Sequence, residues 1–406
     1  MQCLETSIKK SLENLPRFSN ALSLVETLKP NYSVYCLRPK VITDTAKRFI
    51  DLFPGQVMYA VQCNPHPLII DGLYQGGIKR FNAASISEIA QISNAYLNAQ
   101  IYFMHPVKSR PAIKSAYCDF GVNHFAVNHY NELEKILEET GGKNLTIFVQ
   151  IKIPPSEGSL YHLGKKFGAE PLAAARLMQQ AAEAGCRVGV TFDVGSQCIE
   201  PQAYGKALDL VAEVLKMAEV EPVCVNVGGG FPVAYPSRDL PPLENYITEI
   251  EQGLQRLNLS PDVEILAEPS RALVASGCSL LTHVQLRNEE QLFIKDGIYG
   301  ASLELLDSKD TLLTKVIRLH SSVSDELKEF SACGVTCDSN YMLSFPLRLP
   351  VDVKEGDWLE IDCIGAYANA LSIKLNSFYI DAFAILDDVP LSLVNQTKKV
   401  LVGATN

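Results

Sequence analysis

Between Tyr32 and Pro269, short apolar runs rich in β-branched and aromatic residues alternate with stretches of helical spacing, and this rhythm constrains the fold more than any other feature. The runs are YSVYCL (32–37), VMYAVQ (57–62), RFNAAS (80–85), IYFMHP (101–106), HFAVN (124–128), TIFVQIKI (146–153), VGVTFDV (188–194), VCVNVGGG (223–230) and EILAEP (264–269). Eight or nine strands separated by helices predict an α/β fold, a parallel (β/α)8 barrel of the TIM type rather than an open sheet. After Pro269 the rhythm changes. Runs such as ALVASGCSLLTHVQLR and GDWLEIDCIGAYA, joined by turns, predict an antiparallel β domain. The division is then a helical lead-in over 1–30, a barrel over 31–270 and a β-rich domain over 271–406. A chain of 406 residues accommodates it, since such a barrel takes about 250 residues and a second domain about 100–150.

Composition narrows the function. With 47% hydrophobic and 20% charged residues the chain reads as an ordinary globular protein. A net charge of −10 without any basic block argues against nucleic acid. No stretch reaches the roughly 18 apolar residues of a membrane span. Eleven cysteines without CxxC pairs read as reduced thiols, and the opening MQCLETSIKKSLENLP lacks the apolar core of a secretory signal, so a cytoplasmic protein is expected.

Polar residues collect where the barrel strands should end: Gln62, Asn82, His105, Asp193, the glycines Gly228, Gly229 and Gly230, and Glu268. In a barrel these positions meet at one rim, where active sites sit. Each alone is also explained as a helix cap or turn former. The triple glycine lets successive N–H groups converge on an anion, or forms a bare tight turn. No metal-ligating pattern stands out.

Several blocks resemble the ornithine/diaminopimelate/arginine decarboxylases, the group IV pyridoxal phosphate enzymes of alanine racemase-like fold. YAVQCNP resembles their YAVKCNP, GGGFP (228–232) their phosphate loop, AEPSR (267–271) their AEPGR, and DVGSQC (193–198) their HVGSGC or HVGSQC. FNAAS (81–85) resembles FDxAS, KFGA (166–169) is kept, GVTCDSNY (334–341) resembles GPTCDSxD, GAY (365–367) is kept, and LNSF (375–378) resembles FNGF. The likeness runs from about Tyr32 to Phe378, and HPVKSR (105–110) points to the short bacterial ornithine/lysine decarboxylases.

The resemblance implies that Gly228–Gly230, Ser196, Arg271 and Tyr367 surround a cofactor phosphate and that Glu268 meets the pyridine nitrogen. It implies that Cys337 and Asp338 act across a dimer interface, Cys337 as proton donor, while the second aspartate of that motif is Tyr341. It also implies losses. Gln62 stands at the Schiff-base lysine, Asn82 at an aspartate, Asp193 at the histidine that stacks on the ring, and Ile151 or a neighbour at an arginine. A carboxamide cannot condense with an aldehyde. Pyridoxal phosphate is therefore not expected as a covalent aldimine, while noncovalent phosphate or anion binding is. Lys108 and Lys166 lie in matching loops, but either would approach the aldehyde from another direction.

Two readings follow. One is a pseudoenzyme or accessory subunit, a homodimer or a heterodimer with an active paralogue, lending Cys337 and Asp338 to a partner's site. The other is an enzyme of redirected, pyridoxal-phosphate-independent chemistry on a small amino-acid-derived or anionic substrate, with Asp193, His105 or Cys337 as acid or base.

Overall fold

A computed structural model of the chain describes residues 15–154, 159–161, 166–235, 239–295, 312–335, 342–343, 345–371 and 381–394. Eight parallel strands form the barrel: β1 (Gln56–Ala60), β2 (Arg80–Asn82), β3 (Gln100–Tyr102), β4 (His124–Val127), β5 (Thr146–Gln150), β6 (Arg187–Thr191), β7 (Cys224–Asn226) and β8 (Glu264–Ala267). Around the sheet the order is β3-β2-β1-β8-β7-β6-β5-β4. Its two ends meet at a single parallel bridge, where Phe103 donates to His124 O at 2.9 Å and Ala126 donates to Phe103 O at 3.2 Å.

Side chains sort by the two-residue period of a strand. Met58, Tyr102, Ala126, Phe148, Cys224 and Leu266 fill the interior, while their neighbours Tyr59, Ile101, Phe125, Ile147, Val225 and Ala267 belong to the core beneath the helices. Space inside is finely matched. A Cβ added to Gly189 of β6 would lie 2.9 Å from the Phe148 ring, so the bulky residue of β5 is accommodated by the missing side chain of its neighbour. The helices start where the sequence places caps: Ser85 accepts from Glu88 N–H at 3.3 Å, Ser109 from Ala112 N–H at 3.4 Å, and His66 precedes Pro67 and accepts from Leu68 N–H at 3.3 Å.

The run YSVYCL does not open the barrel, and removing it from the nine candidates leaves the eight strands observed. Val34–Leu37 pairs antiparallel with Cys278–Leu281 and parallel with Phe383–Ile385 in the second sheet. Helix Ala21–Leu28 packs beside it, with Leu24 and Val25 against Leu281, Ile317 and Leu386. An apolar strand buried on both faces carries no mark of the sheet it will join, so periodicity alone misplaces it. That second sheet has nine strands and is mixed: Cys278–Asn288 pairs antiparallel with Trp358–Ile361, whereas Gln291–Ile294 pairs parallel with Ser331–Gly334, the second half of the strand Leu327–Gly334.

The two bodies are stitched together by buried charge. Arg38, 1% exposed, donates to Glu360 at 2.7 Å, Asp388 at 2.7 Å and Ser279 at 2.9 Å. The Asn64 carboxamide, in the turn after β1, donates to Gly365 O at 2.8 Å. Gly365 sits so close to the barrel that a Cβ there would overlap the Val274 carbonyl. This contact carries Tyr367 of the second domain to the barrel rim.

Candidate functional site

The carboxyl ends of the barrel strands enclose a cavity of about 400 Å³. Gln62, Asn82, His105, Asp193, Ser196, Gly228, Gly229, Gly230, Glu268, Arg271 and Tyr367, all singled out from the sequence, line it together. Cys337, Asp338 and Tyr341 lie outside the described residues, as does LNSF (375–378).

One end is a cup of donors. Gly228 and Gly230 have φ of +70° and +100°, the left-handed region glycine tolerates. Space forbids anything larger: a Cβ on Gly228 would overlap the Phe192 carbonyl, and one on Gly230 would lie 2.5 Å from Gly195 O. Arg271, 6% exposed, donates to Ser196 Oγ from Nη2 at 3.1 Å, and its guanidinium lies 5.0 Å from the centre of the Tyr367 ring. Tyr367 is itself held at φ +64°, with its N–H donated to Cys63 O at 2.7 Å. A bulky residue in that region is strained, and the contact with the turn after β1 holds it there. Ser270, in place of glycine, needs no such backbone: it begins helix Ser270–Val274, and its hydroxyl accepts from Ala60 N–H at 3.0 Å. Backbone turns, a hydroxyl and a recessed guanidinium are the groups that hold an oxyanion.

The other end is acidic. Glu268 accepts from Asn226 at 2.6 Å and from Asn82 at 2.7 Å, one carboxamide on each oxygen. Burial raises its pKa, the two carboxamides partly offset that, and the nearby charge of Asp193 raises it further. Asp193 accepts from Gly195 N–H at 2.7 Å, and burial holds its pKa up as well. Among the described residues neither carboxylate has an ion-pair partner. His105 lies edge-on to Phe167 at 5.7 Å between ring centres, and its pKa is lowered by burial with help from Lys108 and Lys166. Gln62 lies exposed on the single turn Val61–Cys63 that follows β1, facing the cavity.

The two lysines separate. Lys108 is 3% exposed and lies outside the cavity wall; its ammonium is spent on His105 O at 2.9 Å, Ala126 O at 2.7 Å and Glu132 at 3.1 Å, and burial lowers its pKa to about 8. Lys166 is the only amine among the described lining residues, exposed and 4.8 Å above the Phe167 ring.

Two lining or supporting residues escape a reading of the sequence. Asn226 is fully buried, bonds Glu268, and accepts from Gly228 N–H at 3.0 Å, so it couples the acidic end to the glycine turn. Gln150 lines the cavity with a buried Oε1 that has no partner among the described residues. Each is the polar residue closing an otherwise apolar strand, the same signal that marks Gln62 and Asn82.

A (β/α) barrel with an anion cup at its carboxyl rim and a β domain reaching into the same cavity defines a class of cofactor-binding enzyme folds. Residues 40–275, more than half of the chain, match the pyridoxal-binding domain of the pyridoxal-dependent decarboxylases, and the chain belongs to that family. It is 27% identical to the lysine/ornithine decarboxylase of Selenomonas ruminantium over 82% of this chain and 84% of that protein. It is 28% identical to antizyme inhibitor 2 of Xenopus laevis, over 82% of this chain and 76% of that one. Among solved structures, the Vibrio vulnificus lysine/ornithine decarboxylase complexed with putrescine superposes with a TM-score of 0.78 at 25% identity, covering 91% of this chain and 99% of that chain. Among the described residues no helix is long and apolar enough to cross a membrane, and no group of three or more metal-ligating side chains occurs.

Proposed function

We propose that this member of the decarboxylase family does not decarboxylate amino acids through a cofactor aldimine, and that it acts as a noncovalent ligand-binding protein and accessory subunit. The observation that carries this is Gln62 on the turn after β1, facing the cavity at the position the family resemblance gives to the Schiff-base lysine. A carboxamide has no free amine lone pair to attack an aldehyde. Pyridoxal phosphate, which the family name implies, thus meets a divided site. The glycine turn with no room for a Cβ, Ser196, Arg271 and Tyr367 suit its phosphate. The end where its aldehyde would need an amine offers Gln62, Asn82 and Asp193.

Partnership is the second part of the proposal. One relative, antizyme inhibitor 2, carries the name of an action on another protein and not of a reaction. The chain would pair with itself or with an active paralogue, Cys337 and Asp338 serving that partner. One observation favours redirected chemistry in the same pocket: the cavity has kept about 400 Å³ and convergent polar groups where a purely structural paralogue has no need of them. Absorbance titration with pyridoxal phosphate, run beside assays of lysine, ornithine and arginine decarboxylation, tests the proposal. Binding without an aldimine band and without carbon dioxide release is expected. An aldimine band with turnover would overturn it.

A further inference from the structure

The cavity is polarised, and its acceptors outnumber the donors that reach them. Backbone contacts fix the acidic end: a Cβ on Gly228 would lie 3.4 Å from Asp193 Cα, and one on Gly229 would lie 3.0 Å from Glu268 O, so the loops bearing the two carboxylates close on either side of adjoining glycines. Gln150 is paired in register with Thr191, two residues before Asp193, which brings its partnerless Oε1 to the same side. Two recessed carboxylates without an ion-pair partner and a buried carbonyl oxygen without a donor are costly to maintain. A protonated amine satisfies all three, because it brings a charge and several N–H donors. The opposite end, with Arg271 and the glycine turn, is complementary to a phosphate.

We propose that the cavity is a noncovalent site for a small phosphomonoester bearing a protonated amine, with the phosphate held by Gly228–Gly230, Ser196 and Arg271 and the ammonium donating to Asp193 and Gln150 Oε1 beside Glu268. It rests on the reading of this site as a noncovalent anion cup, and it makes Asp193 the residue that selects the amine.

Isothermal titration of the full chain with pyridoxamine 5′-phosphate, pyridoxal 5′-phosphate and inorganic phosphate tests it. The amine-bearing ester should bind at least about tenfold tighter than either of the other two. In Asp193→Asn that preference should shrink to within about threefold while the phosphate affinity stays as it was; in Arg271→Ala all three should weaken. The comparison of three ligands on the unaltered protein stands even where a variant does not fold. Pyridoxal 5′-phosphate or phosphate binding as tightly as the amine would overturn this inference and leave the anion cup intact. Failure of all three to bind would overturn the cup as well.

Discussion

The two ends of one cavity are built in different ways. The anion end is set by backbone: glycines at positive φ without room for a Cβ, a tyrosine strained into the left-handed region, and an arginine seated on a serine. The acidic end is set by side chains that project from strand ends and could change without moving the chain: Gln62, Asn82, Asp193 and Gln150. The first kind of site is nearly inseparable from the fold, since altering it forces main-chain movement. The second kind is free to vary, and there the family resemblance finds its differences. Fold and phosphate cup can persist together after the chemistry between them has gone.

Breaking the backbone-built end should have the largest effect. Gly228→Ala puts a methyl group into the Phe192 carbonyl at a positive φ, and should cost about 3 kcal/mol or more of stability, read as a lowered denaturation midpoint. Arg271→Ala should leave the protein folded but weaken inorganic phosphate binding by about 30-fold or more, measured by calorimetry. If it binds phosphate as the unaltered protein does, the cup lies elsewhere.

The side-chain end should respond more mildly and through pH. Burial raises the pKa of Asp193, so its ionised form is disfavoured in the folded state; stability falls as pH rises from the ordinary carboxylate range through the raised value. Asp193→Asn should therefore raise Tm at neutral pH by about 1–2 °C, with the gain vanishing in acid, where the carboxyl is already protonated. By the same sign, an amine-bearing phosphomonoester should bind more tightly as pH rises through that window, whereas inorganic phosphate should follow only its own titration. Smallest of all, Lys166→Ala should leave phosphate binding within about twofold, because its amine is exposed at the rim.

How much could be read in advance divides along the same line. The barrel was legible because its strands keep one period with helices between, and the site because polar residues such as Gln62, Asn82 and Glu268 interrupt apolar runs where strands end. Val34–Leu37 was not, since its partners at Cys278–Leu281 and Phe383–Ile385 are more than 200 residues away in the chain and leave no local trace. The parallel pairs of the second sheet were hidden for the same reason. Asn226 and the pairing of Glu268 with two carboxamides arise only when β2, β8 and β7 are brought round the barrel, and Gln150 counts as a site residue only once its Oε1 is seen buried without a donor.

The central claim is that an anion cup survives in a cavity whose strand-end amine is missing. Borohydride reduction in the presence of pyridoxal 5′-phosphate, followed by intact mass and peptide mapping, tests it most directly, with Gln62→Lys treated alongside. The unaltered chain should keep its mass and Gln62→Lys should gain one reduced adduct at residue 62. A stoichiometric adduct on the unaltered chain, at Lys166 or any other cavity lysine, would contradict the account.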